Sequence, residues 1–187
     1  VWDARCFWHS GGNDLFMAQV GGLVQPPSAG GLPENPETKR RLKNLLDVTG
    51  LLSELNSSGA KPVTEEDLRR VHPEVFLSEF RAIAAAGGGE TGLRAPYGPD
   101  GYEIAAISAG LATEALFSVL DGANRNAYAL SRPPGHHCLP EWQNGFCLLA
   151  NIAIAVEAAL ADRKAERVAV LDWDVHHGNG TEAIFSG

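Results

Sequence analysis

Cysteine is scarce in this sequence, and its pattern offers no framework of disulfides. Only Cys6, Cys138 and Cys147 are present among 187 residues, an odd number at wide spacing with no CxxC pair. Small secreted domains held by disulfides are therefore excluded, and a reducing compartment, the cytoplasm, is the expected location. The first residues also lack the basic segment and the apolar core of a secretory signal.

Long hydrophobic runs and clustered positive charge are missing as well. Apolar stretches are interrupted well short of the roughly 18 residues of a membrane span, so we expect no transmembrane helix. Asp and Glu (23) outnumber Lys and Arg (15), which gives a formal net charge of −8. This balance argues against direct nucleic-acid binding, and the basic cluster at residues 39–43 is more typical of a solvated helix face.

The remaining composition is typical of one globular domain, with 44% hydrophobic and 20% charged residues. In the second half, the pattern predicts a buried strand at 127–131, a helix at 145–161 and an apolar strand at 168–174. This order indicates a βαβ unit, and continuously apolar strands favour a parallel sheet covered by helices on both faces. Ligands of such sheets bind beyond the carboxyl ends of the strands.

Histidine is distributed unevenly, and its distribution points to chemistry. Four of the six histidines form two adjacent pairs, His136–His137 and His176–His177. Random placement would give about 0.2 such pairs in a chain of this composition. Each pair follows a predicted strand, where a functional site is expected.

The segment DWDVHHGNG contains candidate metal ligands. On an extended backbone Asp172, Asp174 and His176 share one face, whereas Trp173 and Val175 take the other face and can pack into the core. A carboxylate and an imidazole suit Zn²⁺ or another divalent ion such as Fe²⁺. Asp174 and His176 are too few for a site, so a third ligand is expected elsewhere. Asp172 then either orients a ligand or binds a separate hard cation. The alternative is that the acids merely cap a strand–helix turn.

The segment SRPPGHH predicts a stiff loop that presents its two histidines. Prolines restrict the backbone and Gly135 permits a sharp turn. Neighbouring imidazoles beside a metal-activated water are the arrangement expected for proton transfer in hydrolysis. Asp172 and Asn179 are natural partners to set the two tautomers. Gly145 and Phe146 could line a narrow apolar opening, although Phe146 alone is equally typical of a core.

Together these segments resemble one known family. RPPGHH, NGFCLLANIAIA and VAVLDWDVHHGNGTEAIF are similar to zinc-dependent histone deacetylases, a family that includes histone-deacetylase-like amidohydrolases and acetylpolyamine deacetylases. Asn179 and the Trp of DWDVHHGNGT are most similar to the class II branch and its bacterial relatives. The resemblance covers nearly the whole chain. It implies an arginase/deacetylase-type fold, with an open, mostly parallel sheet, and it makes residues 1–187 the N-terminal part of one catalytic domain.

The resemblance also implies a role for each histidine of the first pair. His137 would act as the general base, with Asn179 as its partner. His136 would be the second, electrostatic histidine, paired with Asp172.

Metal ligands follow from the same resemblance. Asp174 and His176 would bind one catalytic Zn²⁺. Asp172, with the backbone carbonyls of Asp174 and His176, would contribute to a structural K⁺ site, and the carbonyl of Phe185 to a second monovalent site.

On the substrate side, Gly145 would meet the substrate with its backbone and Phe146 would form one wall of an acyl-lysine tunnel. Relatives often carry an acid that binds the substrate backbone. The corresponding position here is Leu93, with Glu90 or Asp100 as substitutes, so this departure from the family concerns peptide binding and not catalysis.

The sequence therefore predicts a zinc amidohydrolase that removes acetyl or similar acyl groups from lysine or polyamine nitrogen. In the family, the third zinc ligand, an aspartate, and a Tyr or His that polarises the carbonyl come later in the chain. A fragment that is inactive alone is therefore expected. Two alternatives stay open: an acyl-lysine-binding metal module without catalysis, and an arginase-type ureohydrolase with two Mn²⁺ ions.

Overall fold

A computed structural model describes residues 1–9, 14–15, 18–19 and 33–186. Within these residues the chain forms α-helices joined by long loops, two 3₁₀ helices (Ala4–Phe7 and Leu51–Glu54) and two short strands. The helices are α1 (Glu37–Val48), α2 (Glu65–Val71), α3 (Glu74–Ala85), α4 (Gly101–Leu120), α5 (Asn151–Ala161) and α6 (Asn179–Phe185). The strands are β1 (Asp14–Leu15) and β2 (Ala18–Gln19), which pair antiparallel.

Local sequence signals explain where several helices begin. The Thr64 hydroxyl accepts the backbone N–H of Asp67 at 3.1 Å and caps α2, whose first turn is acidic. Pro73 directly precedes α3, where its missing N–H is not needed for a helical hydrogen bond. The Thr64 cap therefore satisfies one of the unpaired N–H groups in the first turn of α2.

The hydrophobic core lies where α4 and α5 pack together, with α2 against α5 and α3 against α4. Phe80 on α3 contacts the rings of Tyr97 and Tyr102, with centroid distances of 4.6 and 5.1 Å. The segment 147–150, just before α5, is also completely buried. This core supports the loops that carry the histidines.

Helix α4 bears on the expectation that no helix spans a membrane. By length and composition alone it is apolar enough to cross a membrane, although Glu103 and Glu114 interrupt its apolar run. That expectation stays a prediction. Ten of its residues are buried in the fold, among them the polar Ser108. The apolar surface of α4 therefore contributes to the core described above.

The strand predicted at 127–131 is only partly realised. Leu130 forms an isolated parallel bridge with Trp2, and its N–H donates to the carbonyl of Val1 at 2.8 Å. Leu130 is buried, but Tyr128 is 65% exposed. A strand needs a continuous ladder of hydrogen bonds, and here a single bridge is formed.

The strand predicted at 168–174 is not formed, and no described residue pairs with it as a β-ladder. Trp173 and Val175, expected to pack into the core, are 87% and 91% exposed. Alternation along a chain predicts which side chains share a face, but burial requires a second layer. Within the described part of the chain, no such layer covers this face.

The helix predicted at 145–161 begins later, at Asn151. Gly145 and Phe146 have φ angles of +52° and +67°, which lie outside the right-handed helical region. A tight turn and a buried irregular stretch therefore precede the helix.

Candidate active site

The loop with the first histidine pair is attached to two helices. The carbonyl of Pro133 accepts hydrogen bonds from the Ser108 hydroxyl of α4 (2.8 Å) and from Nδ2 of Asn151 on α5 (3.0 Å). A Cβ at Gly135 would lie 2.6 Å from the backbone nitrogen of Asn151, so only glycine fits this close approach. The loop is therefore fixed directly before His136.

Arg132 holds the same loop from its other side. Its guanidinium is 1% exposed and pairs with both carboxylate oxygens of Glu34, at 2.8 and 2.7 Å. It also donates to the carbonyls of Cys6 and His9. These hydrogen bonds and the ion pair offset the free-energy cost of removing the guanidinium from water. Arg132 thereby connects the N-terminal segment to the loop that carries His136 and His137.

His136 is oriented by a carboxylate. Its Nδ1 lies 2.8 Å from Oδ2 of Asp172. Although burial raises the pKa of Asp172, the hydrogen bonds from His136 and from the N–H of Asp174 outweigh it and the net pKa is lowered. The carboxylate is therefore ionised and accepts the Nδ1 proton. The carbonyl of His136 is held in turn by the N–H groups of Gly180 and Thr181 at the start of α6.

His137 is oriented by a neutral amide instead. Its Nδ1 lies 2.7 Å from Oδ1 of Asn179, which can only accept, so Nδ1 carries the proton and Nε2 keeps a free lone pair. The two imidazole centroids are 4.0 Å apart. The Nδ1 of His136 therefore faces a carboxylate, whereas the Nδ1 of His137 faces a neutral amide.

Asp174 and His176 form a second hydrogen-bonded pair. Oδ2 of Asp174 lies 2.9 Å from Nδ1 of His176 and also accepts the backbone N–H of His176. These two hydrogen bonds, against a small opposing effect of burial, lower the pKa of the Asp174 carboxyl. Both side chains line an open cavity of about 460 Å³. The ring of His176 is 5.8 Å from that of His137.

The carboxylate of Asp174 and the imidazole of His176 are donor types that zinc accepts. Their facing atoms, Oδ2 and Nδ1, are hydrogen-bonded to each other at 2.9 Å, and a zinc ion held by both would take the place of the shared proton. The described residues contain no group of three such side chains, so a third ligand is not among them.

A turn at residues 144–147 faces His137. Asn144 and Cys147 exchange backbone hydrogen bonds, and Gly145 and Phe146 donate to the carbonyls of Leu93 and Arg94 at 2.9 and 2.7 Å. Both central residues therefore adopt positive φ in a turn anchored to a neighbouring loop. Phe146 is half-buried, at the position expected for a wall of the site.

The sequence model of the histone deacetylase domain family matches residues 32–187. The chain belongs to this family. It is 60% identical to the histone deacetylase-like amidohydrolase of Pseudomonas aeruginosa over 98% of its own length and 48% of that relative. It is 35% identical to the human polyamine deacetylase HDAC10 over 81% of this chain and 24% of that protein. The crystal structure of the HDA15 HD domain superposes with a TM-score of 0.83 at 29% identity, covering 98% of this chain and 48% of that one.

The resemblance to deacetylases found in the sequence is thus confirmed. The structure also contains both expected hydrogen bonds, one between His136 and Asp172 and one between His137 and Asn179. The individual catalytic roles stay predictions. His177, the last member of the second histidine pair, points elsewhere: its Nε2 lies 2.7 Å from Oε2 of Glu182 on α6.

Of the acids considered as substitutes at Leu93, Glu90 has a local function. Its carboxylate accepts the backbone N–H of Ala95 at 2.8 Å and shapes the loop. Leu93 itself is 49% exposed, so an apolar side chain occupies the surface next to the turn that bears Phe146. Asp100 directly precedes α4 and forms no side-chain cap there.

Sequence reasoning missed the residues that hold the histidine loop in place. Ser108, Asn151 and Arg132 act through contacts distant in sequence. Arg132 had a usable signal, since a charge beside two prolines at a predicted strand end is unusual. Ser108 and Asn151 lie within apolar helices and gave no signal beyond being polar residues there.

Proposed function

We propose that the protein carrying this chain is a zinc-dependent amidohydrolase that removes acetyl or similar acyl groups from amine nitrogen. The chain spans about half the length of the first curated relative. The observation that carries the proposal is the unequal pairing of two adjacent histidines, one with a carboxylate and one with an amide. This arrangement gives the two imidazoles different hydrogen-bond partners, so that they can take different roles in proton transfer.

His137 takes a proton from the attacking water through Nε2 and returns it to the leaving amine. Asn179 keeps the required tautomer throughout because its amide oxygen accepts the hydrogen bond from Nδ1–H but is too weak a base to take that proton. His136, held by Asp172, would stabilise the developing oxyanion. When bound between Asp174, His176 and a further ligand, Zn²⁺ would supply Lewis acidity toward the carbonyl and the water.

Acetylated lysine peptides or acetylpolyamines are the proposed substrates. The name of the human relative states that it is a polyamine deacetylase, and other relatives are named histone deacetylases. The backbone of Gly145 and the ring of Phe146 would contact the acyl-bearing arm. An apolar Leu93 beside them offers no carboxylate to bind a peptide backbone, and this favours small amine substrates.

We further propose that residues 1–187 are the N-terminal part of one catalytic domain with an open, mostly parallel sheet. The match to 48% of the HDA15 HD domain and the parallel bridge between Trp2 and Leu130 support this proposal. The remaining part would supply the third zinc ligand and the Tyr or His at the carbonyl. Asp172 would also contribute to a K⁺ site. Three buried free cysteines are consistent with a cytoplasmic location.

The test is an assay of acetate release by the purified gene product that contains these residues. An acetyl-lysine peptide and an acetylpolyamine are the substrates, with the His137→Ala variant as the control. Acetate release that requires His137 supports the proposal. Binding of acetyl-lysine without acetate release would instead indicate a binding module, and urea release from arginine a ureohydrolase.

A further inference from the structure

His137 is in contact with the turn at residues 144–147 at two points. Its ring lies over Gly145, where a Cβ would come within 2.5 Å of Cδ2 of His137. Its backbone N–H donates to Sγ of Cys147 at 3.4 Å. The turn that carries Phe146 therefore also supports the neighbouring imidazole.

The position of Cys147 is itself closely determined. Its N–H donates to the carbonyl of Asn144 at 2.8 Å, and its carbonyl accepts the N–H of Asn144 at 3.2 Å. The residue is completely buried. The sulfur is thus placed by the closed turn and not by a mobile side chain.

Burial also keeps this sulfur neutral. Desolvation raises the pKa of the Cys147 thiol to about 12, outweighing the backbone N–H groups of His137 and Cys138 that lower it. A neutral thiol sulfur is a weak acceptor, and it adds no charge beside the imidazole.

We propose that Cys147 is a positioning residue, whose sulfur holds the backbone of His137 so that its ring rests on Gly145 with Nε2 directed to the substrate. The proposal rests on the proposed function for the role of His137 as base. Through this contact, the turn at residues 144–147 fixes the position of Phe146 and of His137 relative to each other. The substrate, bound against Phe146, is thereby aligned with the imidazole that accepts the proton.

Cys138 offers a matched control. It is also completely buried, it also directly follows a site residue in sequence, and its Sγ contacts the carbonyl of Leu139. Replacing either cysteine with Ala removes one buried thiol. Only the change at residue 147 removes the acceptor of the His137 N–H.

The first measurement is hydrogen exchange of the His137 amide in the gene product labelled with ¹⁵N-histidine. An amide that loses its acceptor in a buried site is destabilised, so exchange should be about tenfold faster in Cys147→Ala than in Cys138→Ala. Cys147→Ser keeps an acceptor and should lie between wild type and Cys147→Ala. If Cys147→Ala does not fold, the exchange rate of the His137 amide in Cys147→Ser is compared with that in Cys138→Ala instead.

The second measurement compares kcat and KM of the same variants. Cys147→Ala should lower kcat by about tenfold with little change in KM, since a displaced base affects the reaction more than binding. Cys147→Ser should recover part of the loss, and Cys138→Ala should match wild type. Equal effects of the two Ala variants on both exchange and kcat would overturn the proposal. If the wild type releases no acetate, the proposed function fails, while the exchange data still decide whether Cys147 holds His137.

Discussion

The imidazole of His137 lies directly against the backbone of Gly145. A Cβ at residue 145 would come within 2.5 Å of Cδ2 of His137, closer than real Cβ contacts allow. A glycine at this position is therefore required by the neighbouring imidazole as well as by its own positive φ. This contact gives a test of how exactly the base must be placed.

Gly145→Ala should lower kcat by about tenfold or more, because the new methyl group displaces His137. Gly122→Ala is the matched control, since Gly122 has φ of +74° but no atom within 4 Å of the added Cβ. Both variants carry a backbone strain of about 1–2 kcal/mol, so Gly122→Ala measures in a thermal melt how much of the effect of Gly145→Ala comes from the positive φ alone. Equal kcat in the two variants would show that the contact with His137 has no consequence.

His137→Ala should reduce kcat by about 10² to 10⁴ while bound zinc stays at the wild-type level, because it removes the general base and no metal ligand. His136→Ala should have a smaller effect. Acetate-release kinetics combined with metal analysis check both variants. A larger loss for His136→Ala would assign the base to the other histidine.

His176→Ala and Asp174→Ala should each abolish zinc binding by the gene product, because three protein ligands are needed for a catalytic site. The adjacent His177 serves as the control because its imidazole is hydrogen-bonded to Glu182, and the His177→Ala variant should retain zinc. Metal content after dialysis is the measurement. Undiminished zinc in Asp174→Ala would exclude this carboxylate as a ligand.

Stability should fall as the pH is lowered from 7 to 5, in part because of His72. Burial lowers its pKa to about 4, and both ring nitrogens are engaged: Nδ1 donates to the carbonyl of Pro140 and Nε2 accepts the N–H of Ala150. The unfolded chain therefore binds a proton near pH 6.5 that the folded chain rejects, which removes about 2 kcal/mol between pH 7 and 5.

His72→Gln should be less stable than wild type at pH 7 but should lose less stability on acidification. Urea unfolding at pH 5, 6 and 7 measures this difference. Part of the slope should persist, since burial also lowers the pKa of His9 to about 4. Identical slopes for the two proteins would contradict the assignment to His72.

The 187-residue chain expressed alone should self-associate and release no acetate. Leu171, Trp173 and Val175 expose between 80% and 91% of their surface, and the described residues contain no group of three side chains that could hold zinc. Exposed apolar patches of this kind promote association. Size-exclusion chromatography and the acetate assay check the prediction. Leu171→Lys should reduce the association, and a monomeric chain with activity would show that no further residues are needed.

Local chemistry in the sequence was sufficient for several elements of this protein. Thr64 before a run of acids predicts the capped turn of α2, because the cap needs only atoms three residues apart. Asp174 and His176 lie two residues apart, so their proximity follows from backbone geometry alone. The resemblance of the sequence motifs to known proteins identified the family. It also indicated that the histidines of the two adjacent pairs resemble known catalytic and metal-binding groups.

Tertiary structure decided the contacts between distant segments. The partners of His136 and His137 lie 36 and 42 residues further along the chain, and the carbonyl of Pro133 is held by Ser108 and Asn151 from two different helices. Whether Trp173 is buried depends on a second layer of structure and not on its alternation with Asp172 and Asp174. Sequence periodicity determines which side chains share a face, whereas packing between segments determines what that face meets.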